Sequence, residues 1–486
     1  MSIRAAARSA LLWGVGFTSL RDVLQFFSML ILVRILTPHD YGRVALAQTL
    51  IGLLSILSIK TFVANALQAR DPARIDWDAQ FTLALTVNLA MFAATLAAAG
   101  VLSLIPSYGE AALPLAVLSV VFLIEIPANL RGTQLQVTHN WPRYQILLMV
   151  GIVAGNVLAI LIALTGGGYW ALVAGAMTTG VPMAVDFVMG SHPRLVRGWD
   201  RQKGALTFGA SRVASAGINS SRQTIEQMTL VGTSDFAALG IFTRSIGLAT
   251  LAAGRVGGLV MAALYPAITR AEASSAQFRR VAAVSLRGIV WVTIPSAAFL
   301  ALTAPELVHL LYGPKWPDVI QLLPLAAGQT AAVGIGSACY GLLLANQNLK
   351  ACLVVDVVSG SSGIVLALLV IPLGLNIYLA ALLCHGLVVL TLILFQLRRH
   401  GGIDAAGIFH AILPPLAAAA AGAAAVTLVT HSLPMGVGSL AGLAVKAASF
   451  TLAVLAVFRF GAARQLSELL EAAPGGRRLS HMLRLA

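Results

Sequence analysis

The stretch LLWGVGFTSLRDVLQFFSMLILVR, residues 11–34, decides the class of this chain. About 20 predominantly apolar residues cross a bilayer as a helix, and this run is longer than that. Arg21 and Asp22 nevertheless sit near its middle. A charge at the bilayer centre costs roughly 2.5–3.5 kcal/mol even on lenient insertion scales, so it turns toward water, a counter-ion or a ligand rather than lipid. The run therefore reads as a spanning helix with one polar side. The start, MSIRAAARSALLWGVGF, has the superficial form of a signal peptide. Its apolar part is too long for that role and has no convincing cleavage site, so a retained first helix is expected.

Working outward, thirteen more spans are expected, at 42–65, 80–104, 111–130, 143–164, 168–190, 205–230, 236–267, 283–303, 319–345, 351–372, 376–397, 408–430 and 437–459. The chain has 486 residues, 58% hydrophobic and 10% charged, with a mean hydropathy of +0.87. A soluble domain carries about 25% charged residues. The predicted fold is all-α, a polytopic membrane protein of fourteen transmembrane helices, with no connecting segment long enough for a soluble domain. With the N-terminus cytoplasmic, twenty of the 32 Lys and Arg fall in cytoplasmic segments and one, Lys315, in an external loop. The positive-inside rule then puts both termini in the cytoplasm.

The net charge of +14 does not indicate nucleic-acid binding, because the basic residues are not gathered in an arm or soluble module. Cys339, Cys352 and Cys384 lie in apolar runs and read as small buried hydrophobes. There is no Walker A motif, no His/Cys/carboxylate group with metal-ligand spacing and no loop able to house a glycosyltransferase. The expectation is a protein that is not an enzyme, with no catalytic residues, no metal and no cofactor.

Six basic side chains lie deep in expected spans: Arg21, Lys60, Arg212, Arg222, Arg244 and Arg255. They occupy the first, second, seventh and eighth spans only. On the first, Gly14, Thr18, Arg21, Gln25 and Ser28 recur at helical spacing on one face, and on the seventh so do Arg212, Ser215, Asn219, Arg222 and Glu226. Arg244 and Arg255 lie close to three turns apart on the eighth. Internal pairing is the structural alternative: Asp22 with Arg21, and Arg222 with Glu226 at i,i+4. These spans hold two deep acids against six cations, so a surplus of about four positive charges needs a wet cavity, a bound anion, or both. Arg presents a fork that matches phosphate oxygens bidentately.

The other intramembrane charges have plainer readings. Arg34 and Arg43 are expected to snorkel, and Lys446 and Arg287 to snorkel or pack. For Glu125, Asp186 and Asp356 the expectation is structural pairing or an interfacial position, with a proton or sodium site as the alternative. The first two spans and the seventh and eighth share a plan: a charged helix, a turn, then Asp40-Tyr41-Gly42 or Asp235 and Gly240. This fits a six-plus-six repeat, with lobes at 1–195 and 196–400, two appended spans at 401–460 and a cytoplasmic tail at 461–486. Transporters commonly place their substrate between such repeats.

The stretch LVRILTPHDYGRVALAQTLIGLLSIL (32–57) resembles the first two spans of bacterial polysaccharide transporters. So do LYPAITR (264–270), VTIPSAAFLALTAPELVHLLYGPKWPD (292–318) and YGLLLANQNLK (340–350), which carry elements like that family's GxxW turn and its small-residue/Asn motif. The resemblance is to the oligosaccharide flippases of the multidrug/oligosaccharidyl-lipid/polysaccharide exporter superfamily. It implies two six-helix lobes around a cavity lined by spans one, two, seven and eight. It also implies alternating access at the bacterial inner membrane, with undecaprenyl-diphosphate-linked oligosaccharide as substrate, for exopolysaccharide, capsule or O-antigen assembly. Membrane lipids, a polysaccharide polymerase and export proteins are the candidate partners. On this reading Arg21, Arg222, Arg244 and Arg255 bind the diphosphate or acidic sugars, Lys60 and Arg212 form the cytoplasmic entrance, and Asp22 and Glu226 exchange partners or carry a coupling proton. The alternatives are a drug/cation antiporter, a peptidoglycan-precursor flippase and a non-transporting scaffold of an export complex.

Overall fold

A backbone that crosses hydrocarbon must satisfy its own hydrogen bonds, and a helix does so within one segment. The computed structural model describes residues 3–56, 75–190, 193–196, 203–251, 276–346, 348–401, 405–432, 439–463 and 465–466. Every regular element among these residues is helical. In chain order they are α1 (Ile3–Ile35), α2 (Pro38–Ser55), α3 (Trp77–Ser103), α4 (Gly109–Leu118), α5 (Val121–Val137), α6 (Trp141–Leu164), α7 (Trp170–Thr178), α8 (Val181–Gly190) and α9 (Lys203–Thr233). They continue with α10 (Phe236–Ala249), α11 (Ala276–Leu302), α12 (Ala304–Leu311), α13 (Pro317–Ala345), α14 (Leu349–Val370), α15 (Leu375–Gly401), α16 (Ala405–Ser432) and α17 (Leu440–Gly461).

Among the described residues, ten helical stretches are long and apolar enough to cross a membrane. They match expected spans three to six and nine to fourteen closely: 143–164 is observed as Trp141–Leu164, and 376–397 as Leu375–Arg399. Leu369, Val388, Leu428 and Leu452 are each 65–69% exposed, as befits side chains that meet lipid. The four other expected spans begin in α1, α2, α9 and α10. At 33 and 31 residues, α1 and α9 have ample length, and their polar and charged side chains set them apart from the apolar ten.

Two of the ten spans are broken. Gly109–Val137 comprises α4 and α5, and Trp170–Gly190 comprises α7 and α8. The second break, at Thr179–Gly180, precedes Pro182, which lacks an N–H and whose ring crowds the carbonyl four residues back.

The chain divides into two compact units, Met1–Gly240 and Ile241–Ala486. In the first, α2 packs on α4 and α9, α3 on α4 and α5, α5 on α8, and α6 on α1 and α7. One core joins Val44, Leu102, Leu115, Leu118 and Val173, and another joins Leu83, Ile126, Leu130 and Phe187. The buried Asn88 Nδ2 donates to the Phe122 carbonyl at 2.9 Å, which ties α3 to the start of α5.

In the second unit α13 packs on α11 and α15, α14 packs on α15, and the pair α16–α17 docks on α11. Trp291 of α11 stacks on Phe458 of α17 with ring centroids 4.3 Å apart. Lys446 does not snorkel as one reading of the sequence had it. Its Nζ donates to Glu306 Oε1 of α12 at 2.5 Å, both side chains being about one-tenth exposed. The partner comes from a short helix 140 positions away, so nothing on α17 itself announces it.

Both Asp-bearing turns cap a helix. Thr37 and Asp40 form a capping box at α2: the Asp40 N–H donates to Thr37 Oγ1 at 3.2 Å, and the Thr37 N–H donates to Asp40 Oδ2 at 3.0 Å. At α10 the Ala238 N–H donates to Asp235 Oδ1 at 2.7 Å. One turn beyond each cap, backbone meets backbone. A Cβ on Gly42 would overlap the Phe236 carbonyl, and a Cβ on Gly240 would overlap the Pro38 carbonyl. Gly42→Ala and Gly240→Ala are each expected to destabilise the protein by about 1–3 kcal/mol through overpacking. Thermal unfolding of the detergent-purified protein should therefore show a lowered Tm for both, while Gly52→Ala, where a Cβ meets only open space, leaves it near wild type.

Candidate functional site

The charge deep within α1 and α9 appears as two close ion pairs within the first unit. On α1, Arg21 Nη2 lies 3.2 Å from Asp22 Oδ1, and Nε of the same side chain lies 3.3 Å from it. The side chains keep 40% and 29% of their exposure. On α9, Arg222 Nη1 donates to Glu226 Oε2 at 3.2 Å, one helical turn on. Here the acid is 6% exposed and the cation 27%. The pairing alternative is thus realised for Arg21 and Arg222 in this structure. Both guanidinium groups still present part of their surface, so an anion can approach them without a large new desolvation cost.

The surroundings fix α9 around its pair. Thr224 and Gln227 are buried beside Glu226. Gln227 Oε1 accepts from Thr49 Oγ1 at 2.7 Å and ties α9 to α2, and Tyr108 Oη donates to the Met228 carbonyl at 3.1 Å. On α1, Leu20, Val23, Phe27 and Ile31 form an exposed apolar stripe beside the Arg21 face. The helix therefore separates lipid-like from polar contact. The helix α6, which carries Tyr144, packs against α1.

The remaining expected site residues divide three ways. Arg244 lies half-buried on α10, and its carbonyl accepts from Tyr312 Oη at 3.2 Å in the second unit. Arg212 lies on α9, with a side chain outside the described residues. Lys60 and Arg255 lie outside the described residues altogether.

Two polar constellations went unread in the sequence. In the first, Asp186 of α8 is shared by Arg131 of α5, at 2.6 Å, and Arg143 of α6, at 2.5 Å. Pairing was expected for Asp186, but its two partners read only as loop charges marking topology. The second is a cavity of about 540 Å³ among α5, α6, α7 and α8. Glu125, Asn129, Thr133 and Gln136 of α5 line it, with Tyr144 of α6 and Thr179. The i, i+4, i+8, i+11 spacing of those four α5 residues is the signal that could have found it. Asp356, the third acid weighed from sequence, accepts from Tyr340 Oη at 2.8 Å in the second unit.

Comparison with known proteins bears on this arrangement. A family model described as "Polysaccharide biosynthesis protein" matches residues 31–321. The succinoglycan biosynthesis transport protein ExoT of Rhizobium meliloti (strain 1021) is 26% identical over 155 residues, a match that spans 31% of this chain and 31% of that protein. Among solved structures, the lipid II flippase MurJ in its inward closed conformation matches with a TM-score of 0.70 at 11% identity, over 92% of this chain and 99% of that one. An inward-facing multidrug resistance MATE family transporter of the MOP superfamily matches with a TM-score of 0.59 at 15% identity, over 78% and 94%. At such identities these two likenesses are of fold.

Asp186 serves two arginines at once. Asp186→Asn leaves Arg131, only 16% exposed, without its counter-charge and is expected to cost about 3–5 kcal/mol. Arg143 is 53% exposed, so Arg143→Ala should cost under about 1 kcal/mol. Chemical denaturation in detergent should rank the two in that order.

Proposed function

The chain belongs to the polysaccharide biosynthesis protein family and has the fold of the MOP exporter superfamily, and from that premise we propose that it is a flippase for undecaprenyl-diphosphate-linked oligosaccharide. The observation that carries this reading is the placement of partly exposed arginines, Arg21 and Arg222, each beside an acid, deep within the long helices α1 and α9. A diphosphate is a multivalent acceptor. It can take the guanidinium forks that the carboxylates hold at rest, and the acids then keep the cations from costing too much when no substrate is present.

In the full proposal, Arg244 and Arg255 join Arg21 and Arg222 around the diphosphate or acidic sugars, and Lys60 and Arg212 recruit the headgroup from the cytoplasmic leaflet. Asp22 and Glu226 exchange partners or carry a coupling proton as access alternates. The lipid tail remains in the bilayer. The lobes are 1–195 and 196–400, both termini are cytoplasmic, and the protein resides in the bacterial inner membrane beside a polymerase and export proteins. The likeness to a family whose description is polysaccharide biosynthesis supports the saccharide side of this reading.

The test replaces Arg21 and Arg222 by Ala, singly and together, in the native host. Each lost charged hydrogen-bonding group is worth about 1.5–3 kcal/mol, so polymer export should fall about tenfold or more per substitution. Lipid-linked oligosaccharide should accumulate in the cytoplasmic leaflet, and Arg→Lys should lose less than Arg→Ala. Normal export by the double variant would sink the mechanism.

A further inference from the structure

We infer that the cavity among α5, α6, α7 and α8 is a saccharide subsite, which receives the sugar end of the headgroup whose diphosphate Arg21 holds. The inference rests on the proposed function and adds a second place of contact to it.

Size comes first. At about 540 Å³ the cavity falls within the roughly 300–1,000 Å³ of small-molecule sites, and it far exceeds the space of a single ion or water. Chemistry comes second. Glu125 brings a carboxylate, an acceptor when ionised, and Asn129 and Gln136 bring amides that both donate and accept. The Thr133 and Thr179 hydroxyls donate to the Asn129 and Gly175 carbonyls at 2.8 and 3.2 Å, so their lone pairs remain for a ligand. Asn129 Nδ2 is buried with no hydrogen-bond partner among the described residues. Beside Ile124, Leu148 and Met183, which can meet the apolar face of a ring, these polar groups ask for a ligand with closely spaced groups that donate and accept at once, which describes a sugar. A phosphate brings acceptors alone and would meet the Glu125 carboxylate. A small cation would leave the amide donors idle.

Position comes third. Tyr144 lines the cavity and belongs to α6, the helix that packs against α1, which carries Arg21. In a diphosphate-linked saccharide the first sugar is bonded directly to the distal phosphate. A diphosphate on Arg21 therefore places that sugar next to α6, one of the helices that wall the cavity.

The experiment uses the full-length protein in proteoliposomes and two probes: undecaprenyl diphosphate, and the same lipid carrying a single hexose, glucose and then galactose. Glu125→Gln and Asn129→Ala should each lower uptake of the hexose lipid about tenfold and leave the bare lipid unchanged. Ala128 also lines the cavity, so Ala128→Leu fills it while keeping every polar group and should do the same. Arg21→Ala should lower both lipids. Lining variants that move both lipids like wild type, or lower both by one factor, overturn the subsite. If Arg21→Ala lowers both lipids in that case, the proposed function still stands. If Arg21→Ala lowers neither lipid, the proposed function falls and takes the subsite with it. Loss of sodium dependence in Glu125→Gln, with both lipids equally affected, would assign the cavity to a coupling cation and also overturn the inference.

Discussion

A charge inside a bilayer must have a counter-charge, a bound anion or water within reach, and the ion pairs described on these helices meet that constraint in graded ways. Lys446 and Glu306 are both about one-tenth exposed, and such a pair has little to exchange with; its partners fasten α17 to α12. Arg131 and Asp186 are nearly as enclosed, with Arg143 closing the same carboxylate from its wetter side. Arg222 and Arg21 retain 27% and 40% exposure beside their acids. Desolvation separates the groups: a sealed pair is costly to break, whereas a half-wet one can trade its partner for an incoming anion at modest cost. The two pairs on α1 and α9 are of the second kind.

Length and apolarity made ten helical stretches legible, because a spanning helix leaves a run that no soluble element imitates. The stripes on α1 and α9 were legible for a different reason, since a charge in such a run stands out by its cost. What escaped was relational. Glu125 was weighed as a lone acid, although Asn129, Thr133 and Gln136 recur with it along one face of α5. Arg131 and Arg143 were taken as markers of topology, and only the packing of α5, α6 and α8 brings them to one carboxylate. Lys446 finds its acid on a helix that no periodicity in α17 points to. Pairing across distant segments is a property of packing, and one sequence carries no direct trace of it.

The weak internal likeness between the first two spans and the seventh and eighth has a geometric counterpart. An acid caps α2 through Asp40 and α10 through Asp235. Gly42 lies four positions after Pro38 and Gly240 four after Phe236, and each glycine receives the other helix's leading carbonyl. Identity between the two stretches is low, yet the spacing survives because it answers one need. Two helices that cross backbone to backbone just past their caps require a missing side chain one turn in.

The two polar regions of the first unit are opposite in kind, and a lipid-linked saccharide has need of both. A uniformly basic site would hold a diphosphate but offer sugar hydroxyls only donors. A uniformly acidic one would repel the phosphates. Here the cations lie on α1 and α9, while the α5 face offers Glu125 with amides and hydroxyl lone pairs. Tyr144 lines the cavity from α6, the helix that packs against α1 and so adjoins the one that carries Arg21. On the proposed reading, the anion secures any substrate of this lipid class, and the sugar's fit beyond Tyr144 decides which one proceeds. Discrimination then comes from buried polar groups that a wrong headgroup leaves unpaired, a penalty harsher than the loss of the contact alone.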